Sequence, residues 1–155
     1  MQMEILSYAG FGPIHFGMNR EAVRALFGES PRAFRRAAQG PPDSEQFAAA
    51  GLVVTFDGAD KCIFVQAVKR ACPTFRRKQL VGIPYHDIAS WFREIDPDIE
   101  ENAAGLVSRL HGVALYAPSA KRDLGEPVET AAAFVRGYYD RPPPAIPIPE
   151  GQEGK

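Results

Sequence analysis

The chain has 155 residues, 45% of them hydrophobic and 24% charged, with a formal net charge of −1. Those proportions are ordinary for a globular chain with one domain-sized core, and the near-zero charge offers no global attraction to nucleic acid or to an anionic membrane. No apolar run approaches a membrane span, and two cysteines, Cys62 and Cys72, are too few for a disulfide framework or a zinc site.

The opening residues, MQMEILSYAGFGPIHFGM, lack a basic leader region, a continuous apolar core and a cleavage site, so the chain is expected to stay in the cytoplasm. Residues 4–7 and 14–16 read as short strands on either side of a Gly-Phe-Gly-Pro turn. A helix is expected over residues 19–27, with Asn19 as N-cap, Val23, Leu26 and Phe27 as its apolar stripe, and Gly28 as its stop. Residues 29–43 are rich in Pro, Gly, Arg and Ala and read as loop, with Phe34 beginning a short strand. Two strands follow at 51–56 (GLVVTF) and 62–68 (CIFVQAV). They are joined by a hairpin turn through Asp57, Gly58, Ala59 and Asp60, with the glycine available for positive φ.

A basic loop then leads into the stretch around which the chain is organised, residues 82–98 (GIPYHDIASWFREIDPD). Ile88, Trp91, Phe92 and Ile95 fall at i, i+3, i+4 and i+7, one face of an α-helix. Pro84 suits its first turn, and Asp96-Pro97 stops it because the residue before proline is pushed out of the α region. Beyond it, Ile99 belongs to a short strand, and residues 105–116 (GLVSRLHGVALY) read as one long strand with Gly112 as a bulge or kink. Residues 128–136 are its expected antiparallel partner, across a loop at 118–126. Residues 141–155 (RPPPAIPIPEGQEGK) read as an extended, proline-rich tail.

The two helices echo each other. Gly17, Met18, Val23, Leu26 and Phe27 align with Gly82, Ile83, Ile88, Trp91 and Phe92 at a constant offset, and each helix precedes a Gly-Leu-Val strand, at Gly51 and at Gly105. This spacing is read as two tandem α-β-β-β units of roughly 1–70 and 71–140 within one α+β domain. The segment from Phe16 to Gly28, FGMNREAVRALFG, resembles the helix opening of β-lactamase-inhibitor-protein-like units and of outer-membrane assembly lipoproteins of similar topology. Tandem copies resemble the inhibitor proteins more closely, and in size and style the chain also resembles bacterial immunity proteins. The resemblance implies a curved sheet that binds a protein partner. The chain departs from those families in lacking a secretion signal, a lipobox and a disulfide framework, and no functional residue is carried over.

Few residues suggest chemistry. His15, His86 and His111 have no metal-ligand partner at i+2 or i+4, and Ser90, Ser108 and Ser119 lack a nucleophile-elbow context. No phosphate-cradling loop is present, since Gly10 to Gly12 is followed by Pro13. Asp96, Asp98, Glu100 and Glu101 form an acidic run without the ligand spacing of a calcium loop, and are read as a solvated turn. The basic clusters Arg32/Arg35/Arg36 and Arg70/Arg76/Arg77/Lys78 are read as solvated loops.

The expectation is therefore an α+β fold, an antiparallel sheet of six to eight strands with two helices on one face. Its function is expected to be non-catalytic binding of a protein, as an inhibitor or toxin-immunity protein that occludes a partner. No cofactor, metal or membrane is implied, and nucleic acid is disfavoured. Tyr116, Tyr138 and Tyr139 would form an amphipathic contact surface; for these and for Tyr85 core packing with the hydroxyls at the edge is an equal reading, and the acidic run would suit a basic toxin or enzyme. The alternative is a small-molecule site or small enzyme on the free face of the sheet, with Arg109 and His111 among its polar groups.

Overall fold

A computed structural model describes residues 3–121, 123 and 125–139, so the proline-rich tail lies outside the described residues. The elements in chain order are β1 (Met3–Leu6), β2 (Gly10–Phe11), β3 (Ile14–His15), α1 (Arg20–Phe27), β4 (Arg32–Phe34), β5 (Ser44–Phe47), β6 (Leu52–Phe56) and β7 (Cys62–Ala67). They continue with β8 (Pro73–Phe75), β9 (Lys78–Gln79), α2 (Tyr85–Ile95), β10 (Glu100–Asn102), β11 (Gly105–Ser108), β12 (Val113–Tyr116) and β13 (Thr130–Phe134). The result is a mixed α+β structure in which antiparallel pairing dominates.

The strands form two sheets, not one. Eight of them run β10-β11-β12-β13-β7-β6-β5-β4, all antiparallel, and five run β3-β2-β1-β8-β9, where β1 and β8 pair parallel. The larger sheet is thus two four-strand meanders joined at β13 and β7, with Ala131 opposite Ala67 and Phe134 opposite Phe64.

Period-two alternation gives that sheet two distinct faces. On the inner face Val54, Val65, Ala67, Leu106, Val113, Leu115, Ala131 and Ala133 are buried in the main core. Val23 of α1, Ile88, Ala89 and Phe92 of α2, and Met3, Ile5, Phe11, Ile14 and Phe75 of the smaller sheet belong to the same core. The opposite, outer face carries a second cluster of Phe64, Ala132 and Phe134, joined by Tyr8, Ile63, Val107, Ala114 and Tyr138.

Both helices form where the apolar spacing places them. The Asn19 side chain caps α1 by accepting from the Ala22 N–H at 2.9 Å, and Gly28 ends it in the left-handed region at φ 62°. Pro84 sits just outside α2, in the N-cap position, and Asp96 closes that helix in extended conformation. Glu45, fully buried on β5, is the tie that fastens α1 to the larger sheet. Its carboxylate accepts 2.9 Å from Arg24 Nε, pairs again with the far end of that guanidinium, and lies 3.3 Å from Arg20. The hydrogen bond to Glu45 raises the pKa of Arg24 and so favours the charged guanidinium.

Several expectations are corrected by this arrangement. Residues 105–116 are two strands, because Gly112 at φ 72° lets the chain reverse through residues 109–112 and return as β12. The matching Gly-Leu-Val runs are not equivalent: β6 lies next to the central pair, whereas β11 lies one strand further out. In the hairpin after β6 the positive φ falls on Asp60, at 65°, and Asp57 Oδ1 accepts from the Ala59 and Lys61 N–H groups. The strand β5 was unforeseen, since SEQF buries a glutamate where the pattern calls for an apolar residue.

Candidate functional site

Among the expected contact residues, the acidic run is divided: Asp98 lies exposed in a turn, while the other three are engaged by neighbours. Asp96 is 2% exposed, with one oxygen accepting from the Asp98 N–H and the other from the Ser108 hydroxyl at 2.7 Å. Glu100 and Glu101 lie on β10, and each is paired: Glu100 takes a hydrogen bond from Arg109 Nε at 2.6 Å, and Glu101 accepts from Arg93 and, at 2.7 Å, from the Tyr85 hydroxyl. Partial burial works against ionisation of Glu101, but the bonds from Arg93 and Tyr85 outweigh it and hold the carboxyl below its ordinary range. Tyr85 is 5% exposed, so it is a core residue with its hydroxyl at the edge, not a surface tyrosine.

His111 is not on a strand. It sits in the loop between β11 and β12, 8% exposed, with its backbone N–H aimed at Ser108 Oγ and ring Nε2 2.9 Å from the Ile95 carbonyl. Because that partner is a carbonyl, Nε2 carries the proton and donates. The imidazole thus satisfies a carbonyl at the end of α2 and does not face the same space as Arg109. The two alternative pocket residues are two positions apart in sequence and separated in role.

The outer face does bring the remaining tyrosines together. After β13 the chain turns at Gly137, at φ 80°, with the Tyr138 N–H on the Val135 carbonyl at 3.1 Å. That reversal lays Tyr138 on Phe64, stacked at 4.9 Å between ring centroids, and sets Tyr139 edge-on to Phe134 at 4.8 Å. Tyr8 meets Phe134 edge-on from the other side at 5.9 Å. Burial of the Tyr139 hydroxyl end pushes its pKa up to about 12, although the residue as a whole remains 38% exposed. Tyr116, 44% exposed, projects from the same face of β12.

The hollows on this face include two beside the tyrosines. One is an open groove of about 500 Å³ along β11, β12, β13 and β7, with Gln66, Val107, Tyr116, Thr130 and Tyr139 in its walls. A polar line crosses it: Arg36 donates to Gln66 Oε1 at 2.8 Å, and Gln66 Nε2 donates to Thr130 Oγ1 at 3.1 Å. The Arg36 guanidinium also lies 5.7 Å from the rings of Phe34 and Phe64, which fixes it in place. The other hollow, of about 350 Å³, lies at the end of the face beside Tyr8, Arg109, Arg136 and the tyrosine pair.

Gln66, Tyr8 and Arg136 were missed from sequence, and Arg36 was read as part of a solvated loop. The signal for Gln66 was its place between apolar neighbours in CIFVQAV, where period two sends it to the opposite face. Tyr8 and Arg136 sit outside strands, and no local pattern predicts that they meet. Elsewhere, Arg32 binds Gln46 Oε1 at 2.9 Å, and Lys78 lies 5.5 Å over the Trp91 ring, so these cations are partly engaged by neighbours. Among the described residues no group of three or more His, Cys, Asp or Glu side chains is placed to hold a metal ion, and no helix is long and apolar enough to cross a membrane. No known family matches the chain, and comparison with curated proteins and with solved structures yields no match either.

Proposed function

We propose that the protein is a non-catalytic binding protein that engages a partner protein through the outer face of its larger sheet. The observation that carries this reading is the groove itself. Rigid aromatic and aliphatic side chains are mixed there with fixed polar groups, and Tyr116 and Tyr139 stand partly exposed at its walls. Amphipathic tyrosines with few rotatable bonds lose little entropy on contact and suit a protein interface. Occlusion of the partner, as an inhibitor or immunity protein would achieve it, is the mechanism this surface favours. Of the acidic run, Asp96 is buried and Glu100 and Glu101 are paired, which leaves Asp98, exposed in the turn after α2, as its member open to a contact. A strongly basic partner is accordingly not favoured over a neutral one.

The same reading takes the chain as two tandem helix-and-meander units with both helices against the inner face. Supporting it, α1 precedes β4 to β7, α2 precedes β10 to β13, and the two meanders meet through their last strands. Such an arrangement leaves the outer face to the partner.

The test compares wild type with Tyr116→Arg in capture from the native host's lysate, followed by hydrogen exchange on the purified complex. The expected outcome is one stoichiometric partner lost on substitution, with protection over residues 105–116 and 130–134. Capture that is indifferent to Tyr116→Arg, with protection mapping to the helices, would refute the assignment of this face.

A further inference from the structure

We propose that the groove on the outer face is a seat for a polyproline II helix, and that its occupant is the chain's own segment 141–149, RPPPAIPIP. One row of residues gives the groove its shape. Val107, Ala114, Ala132 and Gln66 are successive partners across β11, β12, β13 and β7, so short side chains make a floor that runs across the strands. Tyr116 and its partner Thr130 stand on one side of that row. On the other side stand Phe64 and Tyr139, whose ring is set edge-on to Phe134, the partner of Phe64. Grooves walled by rigid aromatic rings are what proline-rich segments dock into.

Position and length point to residues 141–149. The reversal at Gly137 brings Tyr139 into the groove wall, and residue 141 is two positions further along the chain. Nine residues of polyproline II helix span about 28 Å. The lining runs from β7 to β10, five adjacent strands, which is about 19 Å. The segment is long enough to cross it. Five of its nine residues are prolines, which carry no backbone N–H. A β-strand laid on this face would find no ladder for its N–H groups, because β11, β12, β13 and β7 each have strands on both sides. A proline run asks mainly for donors to its carbonyls. The Gln66 amide has two N–H donors and gives one to Thr130, and the half-exposed Tyr116 carries a hydroxyl on the wall. Pro144 and Pro147 are one turn of such a helix apart and share a face, and the preformed helix loses little entropy on docking. A partner protein that uses the groove would have to displace this segment.

The full chain and a chain ending at Asp140 would be compared by NMR, with the synthetic peptide RPPPAIPIP as probe. Shortening should move the signals of Val107, Ala114, Tyr116 and the Gln66 amide while the rest of the spectrum stays folded. The peptide should return them saturably in the shortened chain, and bind the full chain at least about tenfold more weakly, since the tethered copy competes at millimolar effective concentration. Pro144→Gly with Pro147→Gly in the full chain should reproduce the signals of the shortened chain, and Tyr116→Arg in the shortened chain should abolish peptide binding. The proposal falls if shortening leaves the groove signals in place, or if the peptide does not saturate at millimolar concentration. It falls equally if the same peptide with alanine for every proline binds as well. Groove signals of the full chain that depend on protein concentration would give the seat to a second copy and overturn the assignment within one chain. None of these outcomes requires a partner protein, so the docking stands or falls separately from capture of one.

Discussion

The region of α1 with β4 to β7 and the region of α2 with β10 to β13 solve one problem with different chemistry. In each, the hairpin before the third strand of the meander is four residues long, 48–51 or 109–112, and closes on a left-handed glycine. The Gly51 N–H bonds the Phe47 carbonyl and the Gly112 N–H the Ser108 carbonyl, both at 2.9 Å. Each hairpin is then tied to the end of its helix. In the first region Glu29, just past α1, accepts from the backbone N–H groups of Ala49 and Ala50 at 3.1 and 3.0 Å. In the second, the acceptors Asp96 and the Ile95 carbonyl meet side chains, the Ser108 hydroxyl and the His111 ring. The helix side supplies acceptors both times, while the hairpin donates through backbone in one case and side chains in the other. A neighbouring Asp, Ser and His can therefore be a structural joint. Here the ring nitrogen Nε2 is on a carbonyl, and the serine proton is directed at the carboxylate.

The comparison is tested hardest at the helix positions that align. Phe92 is fully buried whereas its counterpart Phe27 is only partly so. Phe92→Ala should cost about 3–5 kcal/mol in urea unfolding and Phe27→Ala clearly less, because a fully packed ring leaves the larger cavity. Equal costs would mean that the two helices are anchored alike.

The carboxylates come next. Glu45→Gln removes the charge between Arg20 and Arg24 from a fully buried position and is expected to cost about 3 kcal/mol. Glu101→Gln acts on a pair with side chains 34–50% exposed and should cost under about 1 kcal/mol. Because the folded pKa of Glu101 lies below its ordinary 4.5, its contribution is complete above that pH and lost as pH falls through the depressed value. The difference between wild type and Glu101→Gln should accordingly shrink to nothing in acid, and a difference that persists would remove ion pairing as its cause.

The hairpin glycines fall between the two carboxylates. Ala at either position strains a left-handed backbone by about 1–2 kcal/mol. Gly51→Ala should be the worse of the two. Its new Cβ would lie 3.1 Å from the Ala71 backbone nitrogen, whereas at Gly112 it meets the Tyr8 ring at 3.1 Å, a side chain that can shift. Thermal melts of the two variants give the order directly.

What the sequence determined by itself was local: both helices, their stops at Gly28 and Asp96, the strands β6, β7 and β13, and an α+β class. Each followed from spacing or turn chemistry over a dozen residues or fewer. Tertiary structure decided which strands join which sheet, since β1 crosses from the chain start to pair with β8, and decided that 105–116 folds back on itself at Gly112. It also decided the candidate site. Tyr138 and Tyr139 were legible as amphipathic surface residues, but Tyr8 and Arg136 meet them only through the reversal at Gly137 and contacts between distant segments. Three of the acidic residues, Asp96, Glu100 and Glu101, read as free because a charge usually seeks water, were claimed by Ser108, Arg109, Arg93 and Tyr85. Pairing between distant side chains leaves no periodic trace in a sequence, so charge and aromatic content were visible there while their partners were not.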